Sequence, residues 1–155
     1  MVINCLIGEL EAQERLLQFT EFTSDTALKI GMMLVERARR EKQAIAIDIT
    51  RHGQCLFHFA FDGTTPDNEY WIAGKNRMVN RFGRSSYRLA QQLKQSGKTI
   101  EERFHVSGTD HFACGGAFPI LIKNVGAVGT ITVSGMPDEM DHAYLVDAIK
   151  QHLAI

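Results

Sequence analysis

Hydrophobic positions change their period along this chain, and the changes mark its elements. In TSDTALKIGMMLVERARR, residues 23–40, the positions Ala27, Ile30, Gly31, Leu34, Val35 and Ala38 recur on one helical face. Thr23 or Ser24 stands where an N-cap belongs, and the basic cluster at 37–42 suits the negative end of a helix dipole. Residues 9–20 are also helix-compatible, with Leu10, Gln13, Leu16 and Leu17 clustering. The period then falls to two. In AIAIDIT, Ile45, Ile47 and Ile49 alternate with Ala44, Ala46 and Asp48. After RHGQ, Cys55, Phe57, Phe59 and Phe61 alternate with Leu56, His58 and Ala60, so His58 is expected on the face away from the phenylalanines. Two such runs around a short glycine-bearing loop predict a β-hairpin over 43–61.

The turn cluster DGTTPDNE introduces a segment, 67–96, that reads helical, with a break or kink expected near Gly83. A weakly periodic stretch follows. AFPILIK and AVGTITVSG, joined at Asn124–Gly126, then predict a second hairpin over 117–134, and Pro119 implies an edge position or a bulge there. MPDEMDHAYLVDAIKQHL closes the chain as a helix, with Pro137 and acids at its start and a stripe of Leu145, Val146, Ile149 and Leu153. Two hairpins separated by helix predict an α+β domain with a largely antiparallel sheet.

The 155 residues fit one domain, residues 1–155, with enough surface to bury a sizeable core. The formal net charge of −1 argues against a protein built around nucleic acid. Three cysteines, Cys5, Cys55 and Cys114, show no CxxC spacing, so neither a disulfide framework nor a usual zinc site is expected. The first residues lack a basic leader, and no apolar run approaches the roughly 18 residues of a membrane span. A soluble, cytoplasmic chain is expected, without membrane contact.

Candidate chemistry gathers in two places. On the 67–96 helix, Ile72, Val79, Phe82 and Leu93 define an apolar face, and Lys75 and Ser86 fall among them. A lysine aimed there must snorkel, find a partner or lose its charge; alternatively its ammonium holds a ligand carboxylate or phosphate. On another face Arg77, Arg81, Arg84 and Arg88 form a stripe with no acid between Tyr70 and Lys98. It reads as a solvated face, as an oligomer interface meeting acids such as Glu9, Glu11, Glu14 and Glu21, or as an anion or nucleic-acid surface, with nucleic acid last because no aromatics interleave with the arginines.

The second place is HFACGGAFPI, residues 111–120. Gly115–Gly116 is either a turn or bulge, or a pair of amides approaching an anion. Cys114 reads best as a small buried thiol, since a nucleophile needs a base that local spacing does not give it. His111, three residues away, lies on the opposite side of an extended chain, so the two make a poor metal pair, though either can serve as a single axial haem ligand. No protease triad, phosphate loop or dinucleotide fingerprint is present, and no catalytic residue is assigned.

Gly115, Gly116, Pro119, Ile120, Gly126, Gly129, Val133, Ser134, Gly135 and Asp141 carry a pattern that resembles the haem-degrading-domain, or GlcG-like, family. Trp71, Lys75, Arg81, Phe82, Gly83, Ser85 and Ser86 are similar to the middle helix of its uncharacterised cytosolic branch, while Asn76, Arg77 and Cys114 depart from its usual residues. The resemblance implies a profilin-like fold, a five-stranded antiparallel sheet between helices, and a homo-oligomer. It also makes haem a candidate ligand. The functional expectation is a site for a small anionic or haem-like ligand made by Lys75, Ser86, His111, Gly115 and Gly116. The alternative is a non-catalytic interaction or scaffold protein acting through a homo-oligomeric surface.

Overall fold

Both alternating stretches close into hairpins, and the hairpins share one antiparallel sheet. The computed structural model describes residues 2–155. Strands β1 (Ala46–Arg51) and β2 (Gln54–Ala60) form the first hairpin, β3 (Ala117–Ile122) and β4 (Gly126–Ser134) the second, in the order β2–β1–β4–β3. Helices α1 (Val2–Leu16) and α2 (Ser24–Arg40) precede them. Between the hairpins lie α3 (Pro66–Phe82), α4 (Ser86–Ser96) and the short α5 (Ile100–Phe104), and α6 (Asp138–Leu153) ends the chain. The architecture is α+β.

The sheet has four strands, where the resemblance implied five. The stretch between α1 and α2 contributes one bridge, Phe19 against Ile122, with Phe19 N–H donating to Leu121 O at 2.7 Å and Lys123 N–H to Phe19 O at 2.9 Å. Leu17 N–H still bonds back to Gln13 O at 2.8 Å, and Thr23 already caps α2, so too little chain is left to extend a ladder. The N-terminal helix also begins earlier than its apolar clustering suggested, at Val2, and stops at Leu16.

Local chemistry accounts for the other boundaries. His52 and Gly53 both take positive φ, 53° and 76°, the type I′ geometry that matches strand twist in a two-residue hairpin. Thr65 and Asn68 form a capping box with Pro66 in the first turn of α3, and Gly83 ends that helix in the left-handed region at φ 67°. The predicted break at Gly83 thus separates two helices. Pro119 lies on β3, an edge strand, one residue before a register slip between Ile120 and Leu121.

Period two gives the sheet two unlike faces. Ile45, Ile47, Ile49, Ile131 and Val133 are fully buried against α2 and α6 in the main core, with Phe118, Tyr144, Leu145 and Ile149. Each such side chain is worth roughly 1.5–3 kcal/mol of burial. The other face is polar: Asp48 pairs across the strands with Thr132, Thr50 with Thr130, and Ala46 with Ser134. Helix α3 lies over it, with Asn68 Nδ2 donating to Ser134 Oγ at 3.3 Å and the Thr132 hydroxyl donating to Asn76 Oδ1. A smaller core of Met78, Leu89, Phe104 and Val106 joins α3, α4 and α5.

Candidate functional site

Lys75 sits mid-way along α3 and points toward the sheet, as its position among Ile72 and Val79 predicted. It does not snorkel. The residue is 3% exposed, and its ammonium donates to Val133 O at 2.9 Å and to Asp141 Oδ2 at 3.3 Å. Asp141, in the first turns of α6, is 2% exposed and accepts the Met136 N–H on Oδ1 at 3.1 Å. Burial pushes its carboxyl up to about 7 even though the adjacent Lys75 ammonium and the Met136 amide pull it down. The pair forms the floor of a cleft of about 350 Å³ between α3 and the turn from β4 to α6.

Trp71, Met136 and Cys114 supply its apolar lining, while Asn68, Ser134, Asp67 and Asp138 bring polar groups to it. Trp71 is 39% exposed and is held by its own Nε1–H, which donates to Asp67 Oδ2 at 3.1 Å. Its ring lies 4.5 Å from that of Phe112, centroid to centroid, and Tyr70 lies 5.0 Å from the same ring. Gly74 makes room for this contact, because a Cβ there would fall 2.1 Å from Phe112 Cδ2. The Cys114 thiol is driven up to about 11, mainly by burial and further by Asp138 and Asp141, so it is a protonated thiol rather than a nucleophile.

Of the five residues expected to gather, Lys75 alone lines the cleft. Gly116 packs against it from the inside: a Cβ there would fall 2.6 Å from Lys75 Nζ and 2.5 Å from Val133 O, and φ is 124°. Gly115 admits the backbone of α6, with Asp138 O only 2.2 Å from where its Cβ would be. The paired glycines are therefore a close-packing joint. Ser86 is fully buried and ties α4 to β3, accepting the Ala117 N–H at 2.9 Å. His111 pairs with Asp110, Nδ1 to Oδ1 at 2.6 Å.

The lining carries more acids than bases. Asp67, Asp138 and Asp141 stand against one ammonium that already has two acceptors. Three acids to one lysine leave an excess of negative charge in the lining, which disfavours an anion there. Sequence reasoning missed Asp141 as the partner of Lys75. The available signal was the acidic opening of the last helix, since a lysine on an apolar face needs an acid from some other element.

The arginine stripe is taken up within the chain. The loop after α5 runs along α3, where Arg77 donates to Asp110 O at 3.0 Å and Arg81 to His105 O at 3.5 Å. The break at Gly83 rotates the other two away: Arg84 donates to Gln92 Oε1 at 3.1 Å, and Arg88 pairs with Glu14 and Glu11 of α1. Acids of α1 do meet the stripe, but inside one chain.

A family description, "Haem degrading protein HbpS-like", matches residues 22–150. The chain belongs to the HbpS-like family. A UPF0303 protein of Streptomyces avermitilis is 48% identical over 147 residues, covering 95% of this chain and 90% of the relative. The crystal structure of the Ybr137w protein superposes with TM-score 0.85 at 30% identity, covering 92% of this HbpS-like chain and 84% of that one. The crystal structure of a PduOC:heme complex gives TM-score 0.67 at 16% identity, over 83% and 92% of the two chains, a likeness of fold alone. Among the described residues no helix is long and apolar enough to cross a membrane.

Proposed function

We propose that this HbpS-like protein binds a small molecule in the cleft over the Lys75–Asp141 pair. What carries the reading is a buried ion pair placed at the floor of an open cleft beneath a half-exposed tryptophan. Concave sites with an apolar wall and a few convergent polar groups are the usual form of small-molecule sites. The three carboxylates favour a ligand that presents N–H or O–H donors or a positive charge, with a flat or apolar part against Trp71. No reaction is assigned. The three cysteines are unpaired, which agrees with a reducing, cytoplasmic setting.

Haem is the ligand suggested by the family description and by the PduOC:heme neighbour. The cleft fits it poorly. Among the described residues no imidazole lines it, its thiol is held protonated, and it offers no free ammonium or guanidinium for propionates. Haem therefore belongs in the test as a competitor, beside phosphates, carboxylates, neutral polyols and amines.

Trp71 is the single tryptophan of the chain, so its emission reports on the cleft without a label. Amines or polyols should change that emission, and a ligand at 100 times its Kd should add about 2.7 kcal/mol of stability. Silence across the panel, in emission and melting alike, would move the function to the second reading. That reading is a homo-oligomer acting through its surface. It draws on Leu28 and Met32, one turn apart on the outer side of α2 and exposed. Sedimentation of the wild type above the 17.4 kDa monomer, abolished by Leu28→Glu with Met32→Glu, would support it.

A further inference from the structure

Cys55 and His58 are three residues apart on one strand, a spacing that places side chains on opposite faces. They nevertheless share a face. The β1–β2 register runs Asp48 opposite His58 and Ile49 opposite Phe57, then slips so that Thr50 lies opposite Cys55, leaving Leu56 as an extra residue. This bulge turns Cys55 onto the polar face of the sheet beside Asp48, a device that re-aims side chains at functional sites. The alternation read from sequence grouped Cys55 with the phenylalanines, and the slip overturns that placement.

The result is a sulfur, a nitrogen and an oxygen aimed at one point. His58 Nδ1 lies 3.1 Å from Asp48 Oδ2, Cys55 Sγ lies 3.8 Å from the same oxygen, and all three atoms fall within 4.8 Å of one another. Tetrahedral zinc, with bonds of about 2.0–2.3 Å, holds its ligand atoms roughly 3.5 Å apart. Each nitrogen or oxygen ligand has an outer partner. His58 Nε2 lies 3.0 Å from Glu69 Oε1 of α3, and Asp48 Oδ1 accepts the Thr50 hydroxyl at 2.8 Å. A carboxylate on the far imidazole nitrogen fixes the tautomer that leaves Nδ1 free for a metal.

We infer that Asp48, Cys55 and His58 form a binding site for a borderline-soft divalent cation of the zinc type, with the fourth position open to water. The donor set decides the class. Magnesium and calcium take oxygen ligands, whereas one thiolate and one imidazole suit Zn²⁺ or Co²⁺. On binding, the cation displaces the thiol proton to solvent and takes the place of the hydrogen bond between Asp48 and His58. The site is separate from the cleft: Asn68 of α3 turns to the cleft, and Glu69 reaches His58.

The test is titration of reduced, metal-stripped protein with Co²⁺, followed by absorbance, and then displacement by Zn²⁺. The expected result is one Co²⁺ per chain, with a thiolate-to-cobalt charge-transfer band and visible bands of tetrahedral strength, both lost on adding Zn²⁺ and unaffected by Mg²⁺. Cys55→Ser, at an exposed position that leaves folding intact by circular dichroism, abolishes the charge-transfer band, and Cys5→Ser retains it. His58→Ala weakens binding tenfold or more, and Glu69→Gln weakens it by about 10–100-fold, the range for an outer partner of a metal-bound histidine. Absence of the band in the wild type, or its persistence in Cys55→Ser, overturns the site. A band lost in Cys55→Ser with affinity unchanged in His58→Ala would mean a lone thiol adduct and overturn it equally.

Discussion

Lys75 on α3 and Asp141 on α6 meet at 3.3 Å, 66 positions apart in the chain, with side chains only 4% and 3% exposed. Their contact, together with the Lys75 hydrogen bond to Val133 O, is where α3, β4 and α6 are joined. Lys75→Met keeps the length of the side chain and removes the charge, leaving a buried carboxylate with one amide partner. Removing one member of a buried pair costs about 3–5 kcal/mol. The double variant Lys75→Met with Asp141→Leu should recover most of it. Urea unfolding of both variants checks the pair, and an unchanged single variant would contradict it. The deficit of Lys75→Met should also shrink in acid, where the stranded carboxyl takes up a proton.

His142 follows Asp141 in sequence and titrates in the opposite sense. Its Nε2 lies 2.8 Å from Gln13 Oε1, its Nδ1 has no partner among the described residues, and burial pushes it down to about 4. The unfolded chain takes up this proton near pH 6.5, so stability falls as pH drops from there toward about 4, by at most about 3 kcal/mol. Asp141, held up at about 7, contributes stability that is lost as pH rises through that value. His142→Gln should therefore gain on the wild type as pH falls. Denaturation midpoints at about pH 7 and about pH 5 measure the difference, and parallel profiles would refute it.

Two glycines make an internal contrast. A Cβ on Gly115 would meet Asp138 O at 2.2 Å and Tyr87 Cδ1 at 2.9 Å, whereas one on Gly8 of α1 meets nothing within 4 Å. Gly115→Ala should lose about 1–3 kcal/mol, the usual cost of overpacking. Gly8→Ala should hold or gain up to about 1 kcal/mol through helix propensity. Thermal melts of the two variants suffice.

Glu14 fastens the first helix. It is buried, accepts the Ser85 N–H on Oε1 at 2.7 Å and pairs with Arg88 on Oε2. Glu14→Ala leaves the buried Ser85 amide unmatched and Arg88 with only the longer Glu11 contact at 3.5 Å, which should cost about 2–3 kcal/mol. Hydrogen exchange should quicken at the start of α4 and along α1. Protection unchanged in both helices would show that the contact does not fasten them.

The elements were legible where period and punctuation agreed. Ile45–Ile49 reads as a strand because the alternation is strict, and Gly83 reads as a break because a glycine interrupts a long helical segment, where it proves to be a left-handed cap. What stayed hidden depends on distance or on a slip of register. Nothing beside Lys75 names Asp141, and nothing in QCLFHFA announces that Leu56 stands outside the pairing. The Arg77–Arg88 stripe lacked acids on its own segment; the first-helix acids named for it do reach Arg88, but within one chain, and the backbone carbonyls that take Arg77 and Arg81 have no signature in sequence. Ser86 and the glycine pair, expected at a ligand site, lie outside the cleft lining and are engaged in packing and a backbone hydrogen bond.

The bulge at Leu56 also sets what a shorter hairpin would look like. A deletion of Leu56 restores unbroken pairing of Thr50 with Cys55 and Ile49 with Phe57. Cys55 and His58 then become positions i and i+2 of a regular strand, which share a face without any slip. Residue spacing and side-chain facing are thus uncoupled here: C-x-x-H with a bulge and C-x-H without one present the same two donors to Asp48. A search for this site by one fixed spacing would pass over any chain that builds it with the other.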